Sequence, residues 1–112
     1  MILWHNPRCS KSRQALALLE EAGVTPQIRR YLEDAPTLDE LRAAQAALGL
    51  PAIEIMRPKE AAFREMGLSK DADDETLLRA MAEQPKLIER PVAFAGDRAV
   101  IGRPPQRVRD LL

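Results

Sequence analysis

The stretch His5-Asn6-Pro7-Arg8-Cys9-Ser10-Lys11-Ser12-Arg13 decides how this chain is read, because it carries the only cysteine and joins two segments of different periodicity. Upstream, Met1-Ile2-Leu3-Trp4 is an apolar run that reads as a buried strand. Downstream, Leu16, Leu19 and Ala22, with Ala15 and Leu18 beside them, recur at helical spacing over about residues 11–22. Gly23 is a suitable C-terminal stop. A cysteine at a strand-to-helix turn directs its sulfur at the helix N-terminus. The free N–H groups and the dipole there favour negative charge, so the same place lowers a thiol pKa and cradles an oxyanion. Arg8, Lys11, Arg13 and His5 all lie within four residues of Cys9 and are expected to push the same way. A lone cysteine is often a small buried hydrophobe. Neighbours of the Pro, Arg, Ser and Lys types do not describe a core, and a reactive thiol is the better reading. Cys9-Ser10-Lys11-Ser12 has the spacing of a thioredoxin-like C-x-x-C turn whose second cysteine is Ser12. It is not a C-x5-R phosphatase loop, since position 15 is Ala.

Bulk composition narrows the classes. A chain of 112 residues is expected to form one domain, residues 1–112, with a real core. Lys plus Arg equals Asp plus Glu at 17 each, which argues against a nucleic-acid binder acting through a general basic field. No apolar stretch nears the roughly 20 residues of a membrane span, and no secretory leader is visible. One cysteine makes no intramolecular disulfide, so a reducing cytoplasm is the expected compartment. One His and one Cys do not make a structural zinc site, so no metal is expected. A monomer is expected.

The order of elements suggests a fold. Pro26 to Tyr31 reads as a second short strand, completing a βαβ unit with a parallel pair. Thr37 and Glu40 form a candidate capping box for a helix through Leu38, Leu41, Ala44, Gln45 and Leu48, stopped by Gly49. Pro51 opens a short element. A helix is expected over about 58–66, and another from Asp73 or Asp74 with Leu77, Leu78 and Met81 inward. Val92 to Ala95, Gly96-Asp97 and Arg98 to Ile101 read as a β-hairpin. Pro104-Pro105 opens a last helix holding Val108, Leu111 and Leu112. This is an α/β plan, βαβ, a helical insertion at about 36–86, then ββα. It fits a thioredoxin-like fold with a mixed four-stranded sheet.

Thirteen of the 17 basic residues are arginine, so the setting of each must decide its role. Three precede proline at an element boundary: Arg57-Pro58, Arg90-Pro91 and Arg103-Pro104. Coincidence is one explanation in a chain with nine prolines. The other is that three guanidinium groups converge near the sulfur. Their planar paired donors suit tetrahedral oxyanions and would let a doubly charged one approach a thiolate. Pro91 also stands where thioredoxin-like folds place a cis-proline facing the active cysteine.

With these residues in view, the chain resembles the glutaredoxin-coupled arsenate reductases of thioredoxin fold. The resemblance rests on His5-Asn6-Pro7-x-Cys9, Tyr31-Leu32-Glu33, Arg57, Arg90-Pro91 and Arg103-Pro104, in order and across essentially the whole chain. It implies that Cys9 is the catalytic nucleophile. It implies that His5 helps activate it, and that Arg57, Arg90 and Arg103 bind the oxyanion. The backbone at Ser10, Lys11 and Ser12 would complete an anion cradle. The implied partners are arsenate, glutathione as co-substrate and glutaredoxin, with no cofactor held by the protein. The single cysteine fits this independently, because reducing As(V) to As(III) takes two electrons and a second thiol must come from outside. Two alternatives use the same fold: a thiol-transfer or deglutathionylation enzyme, and a non-catalytic RNA polymerase-binding regulator. A redox switch of the latter would need a second cysteine at position 12, where this chain has serine.

Overall fold

The computed structural model describes all residues from Met1 to Leu112. Two sets of residues pack among themselves: Met1–Asp34 with Arg90–Leu112, and Ala35–Glu89.

The first unit holds the whole sheet. Strands β1 (Ile2–Trp4), β2 (Gln27–Arg29), β3 (Val92–Ala95) and β4 (Arg98–Ile101) lie in the order β2-β1-β3-β4. β1 and β2 are parallel, joined by helix α1 (Ser10–Glu21), and β3 runs antiparallel to both β1 and β4. The expected βαβ unit and hairpin are therefore present, in a mixed four-stranded sheet. Gly96 takes the left-handed conformation (φ 62°) that the hairpin turn requires. Leu3 and Ala93 are register partners. They pack with Ala15 and Leu19 of α1 and with Val108 and Leu111, forming the core under one sheet face. On α1 the buried positions are Ser12, Ala15 and Leu19, while Ala22, assigned inward by periodicity, is exposed.

The C-terminal segment differs from expectation. It is a 3-10 helix, Pro105–Leu111, rather than an α-helix, and Leu112 lies outside it, exposed. Prolines at its start remove donors, and the tighter winding still turns Pro105, Val108 and Leu111 inward at a spacing of three. β2 is also shorter than read, ending at Arg29. Tyr31 lies beyond it and is fully buried.

The second unit is helical. α2 (Leu38–Leu48) starts with the full capping box of Thr37 and Glu40 and ends at Gly49 in the left-handed region. α4 (Asp74–Glu83) is capped by Asp73, whose side chain accepts from the Thr76 N–H at 2.8 Å. Between them come a 3-10 turn at Ala52–Ile55 and a helix α3 (Ala61–Glu65) shorter than the expected 58–66, because Pro58 stays outside it. Leu41, Ala44, Ile55, Leu77, Leu78 and Met81 are all buried. Arg42 bridges Asp39 and Glu75, tying α2 to α4.

Candidate active site

Strand register alone brings three loops of the first unit to one edge of the sheet. β1 ends at Trp4, opposite Val92 at the start of β3, and Val92 is opposite Ile101 at the end of β4. The loop from His5 to Cys9 therefore emerges beside Arg90-Pro91 and beside Arg103-Pro104. Both X-Pro bonds are cis, as expected at Pro91 and not foreseen at Pro104.

Cys9 is the N-cap of α1, with extended backbone (φ −93°, ψ 123°) and no side-chain capping bond of its own. The sulfur is half-buried. Partial burial pushes its pKa up, but the Ser12 backbone N–H, the Arg90 guanidinium and the Lys11 backbone N–H act against this. The net effect is a thiol below the free-cysteine range. The lowering comes from Arg90, 81 positions away in sequence, and from helix amides. Arg103 also reaches the sulfur, its Nη2 donating to Sγ at 3.8 Å.

The two arginines are held as a pair. Arg103 Nε donates to the Arg90 carbonyl at 2.9 Å. The Gly102 N–H donates to the Pro91 carbonyl at 2.9 Å. A Cβ at Gly102 would sit 2.8 Å from Pro91 Cγ, so only glycine lets the β4 end approach the cis-proline this closely.

His5 is 6% exposed and Ser12 is fully buried. His5 Nδ1 lies 2.6 Å from Ser12 Oγ, which also accepts from the Asn6 N–H at 3.1 Å. Burial lowers the His5 pKa, and the positive charges of Arg30 and Arg13 lower it further. His5 is therefore neutral at pH 7 and does not supply the positive charge expected of it. Its link to Cys9 runs through Ser12, whose hydroxyl faces His5 while its backbone N–H faces the sulfur. Ser12, read as a replaced cysteine, is thus the post that fixes the first turn of α1. Ser10 is the first residue of the helix and is exposed.

Arg57 belongs to the second unit. There it pairs with Glu60 at 3.3 Å and Glu89 at 3.7 Å, and its backbone N–H donates to Leu87 O. Sequence reasoning missed the Ser12–His5 bond and the close approach at Gly102. Seven residues separate His5 from Ser12 across a loop, so no periodicity marks them. Gly102 carried a weak signal, lying between a strand end and a proline pair.

A βαβ–ββα sheet with a single activated cysteine at the first helix N-terminus and a cis-proline facing it defines a thioredoxin-like protein. Residues 4–111 match the ArsC family. An arsenate reductase of Neisseria meningitidis serogroup A is 43% identical over 112 residues, covering 98% of this chain and 96% of that one. A protein of Escherichia coli K12 named YfgD is 44% identical over 112 residues, covering 98% and 94%. The solved arsenate reductase of Vibrio cholerae superposes with a TM-score of 0.95 at 45% identity, covering 99% of this chain and 96% of that one. The chain belongs to the ArsC family.

Proposed function

We propose that this protein reduces arsenate to arsenite, using Cys9 as nucleophile and glutathione with glutaredoxin as the source of the second thiol. The observation that carries the reading is the sulfur itself, held below the free-cysteine range by the Ser12 and Lys11 amides and Arg90, with Arg103 at 3.8 Å. Donors that stabilise a thiolate also stabilise an incoming oxyanion, so one cluster lets two negative species meet. The names of the relatives point to arsenate as that oxyanion.

In this scheme the Cys9 thiolate attacks arsenic and displaces one oxygen, which leaves as water after protonation. A glutathione thiolate then attacks the Cys9 sulfur. The new S–S bond forms as the sulfur–arsenic bond breaks, its electron pair stays on arsenic, and As(V) becomes As(III). Glutaredoxin takes the glutathionyl group and returns Cys9 to the thiolate. Two thiols lose one electron each, which balances the reduction. Arg90 and Arg103 spread the oxyanion charge. Arg57 enters the proposal as a further oxyanion ligand on its motif match alone. With one thiol, the cycle needs a reducing compartment, which the cytoplasm provides.

The test is the intact mass of the protein after incubation with arsenate and glutathione, without glutaredoxin. One glutathione on Cys9, formed only when arsenate is present, is the expected product. An unmodified protein, or an adduct that forms equally without arsenate, removes the arsenate step.

A further inference from the structure

The zero net charge of the chain hides a division. The first unit carries ten cations against six acids, and the second carries seven against eleven. Much of the excess sits around the thiol. Residues 1–19 contain Arg8, Lys11 and Arg13 and no acid, the first being Glu20. Some cations elsewhere find carboxylates: Arg29 with Asp34, Arg42 with Asp39 and Glu75, Arg57 with Glu60 and Glu89, and Arg79 with Glu75, while others, such as Arg64, Arg98, Arg107 and Arg109, form no ion pair. Arg8, Lys11, Arg13 and Arg30 are exposed and have no ion pair.

These four lie at one edge. Arg13 is one helical turn beyond Cys9, and its guanidinium reaches back to donate to the Pro7 carbonyl at 3.0 Å, fixing it beside the loop. The parallel register pairs Trp4 with Arg29, which sets Arg30 next to His5. Both Arg13 and Arg30 are close enough for their charges to act on His5. Uncompensated charge costs self-repulsion. The largest groups lowering the Cys9 thiol are helix amides and Arg90, which leaves the charge of this outer rim open to another anion.

We propose that Arg8, Lys11, Arg13 and Arg30 select the second thiol by charge. They receive the carboxylates of a small carboxylate-bearing thiol or disulfide, of which glutathione is the type, while its sulfur meets Cys9. This rests on the proposed function only in taking Cys9 as the sulfur that reacts with an outside thiol. It can be read without arsenate, in disulfide exchange. The Cys9 thiolate attacks one sulfur of a disulfide, a Cys9 mixed disulfide forms, the old S–S bond breaks, and the electron pair departs on the released thiolate.

The experiment measures the rate of Cys9 loss with three disulfides: glutathione disulfide, neutral hydroxyethyl disulfide and cationic cystamine. Each is run at low and high salt, with free cysteine as the reference thiol. Relative to the reference, the protein is expected to favour glutathione disulfide over the neutral one by about fivefold at low salt, and the preference is expected to collapse at high salt. R8Q/R13Q and, separately, R8Q/R30Q are expected to lose most of it while the neutral rate and the pH midpoint of Cys9 alkylation stay put. Selectivity equal to that of free cysteine overturns the proposal. So does a uniform fall for all three disulfides with a raised alkylation midpoint, which would assign the rim to the thiolate. Lack of arsenate turnover leaves the proposal standing, whereas arsenate turnover without charge selectivity overturns it alone.

Discussion

Arg90 serves the site twice. Its side chain lowers the Cys9 thiol by hydrogen bond and by charge, and its carbonyl accepts from Arg103 Nε, aiming the second guanidinium at the sulfur. The carbonyl role survives any side-chain substitution, so Arg90→Lys isolates the guanidinium. Lysine keeps the charge and loses the paired planar donors. The expected result is an alkylation midpoint for Cys9 that rises part of the way toward free cysteine, and about a tenfold fall in kcat/KM for arsenate, one lost interaction of about 1.4 kcal/mol. The sign of the pH dependence follows from a lowered thiol. Reactivity is at its plateau above the folded pKa and falls as pH drops through it. The thiolate's contribution to folding is complete above the free-cysteine value and is lost over the same descent. An unchanged midpoint and unchanged kinetics in the lysine variant would remove Arg90 from the site. At this scale the sequence made Cys9 and the two Arg-Pro pairs legible. It did not show that Arg103 is held by the Arg90 carbonyl, because that depends on which loops the sheet register brings together.

At the scale of elements, the β3–β4 hairpin does more than complete the sheet. Its two ends carry Arg90-Pro91 and Arg103-Pro104, and Gly102 lets those ends close. A methyl at position 102 would meet the Pro91 ring at 2.8 Å and Val108 Cγ1 at 3.2 Å, both on buried residues with little room to move. Gly102→Ala is therefore expected to destabilise the fold by about 1–3 kcal/mol, seen as a lowered Tm. It is also expected to weaken Arg103's hold on the sulfur, seen as slower Cys9 alkylation at neutral pH. An alanine variant with wild-type Tm would mean that the close approach is not fixed. Helices were the most legible elements, since Thr37, Asp73, Gly49 and Gly23 act locally and their partners lie within one turn. The terminal 3-10 helix was misread because Val108 and Leu111 fit either winding. On α1 only Ala22 was misplaced, since the helix ends at Glu21; Ala15, Leu16, Leu18 and Leu19 pack on the core as read, and the polar Ser12 takes the buried position nearest the site.

At the scale of the whole molecule, the sheet order, the cysteine at the first helix N-terminus and the cis-proline opposite it make one device. A thiol whose pKa is lowered by helix amides and Arg90 sits where Arg103 also reaches the sulfur. The fold plan was legible throughout, since strand–helix–strand and hairpin signals lie at the two ends of the chain. The division of charge between the units was not, because the chain total of zero conceals it. A single thiol cannot return itself to the reduced state after giving up its share of two electrons, so the account stands or falls on external thiols. The most direct measurement is NADPH oxidation coupled through glutathione reductase to glutathione, glutaredoxin and arsenate, with Cys9→Ser beside the wild type. The account predicts arsenate-dependent oxidation that requires glutaredoxin and is abolished in the serine variant. Folded wild-type protein with an alkylatable Cys9 and no arsenate-dependent oxidation would contradict it.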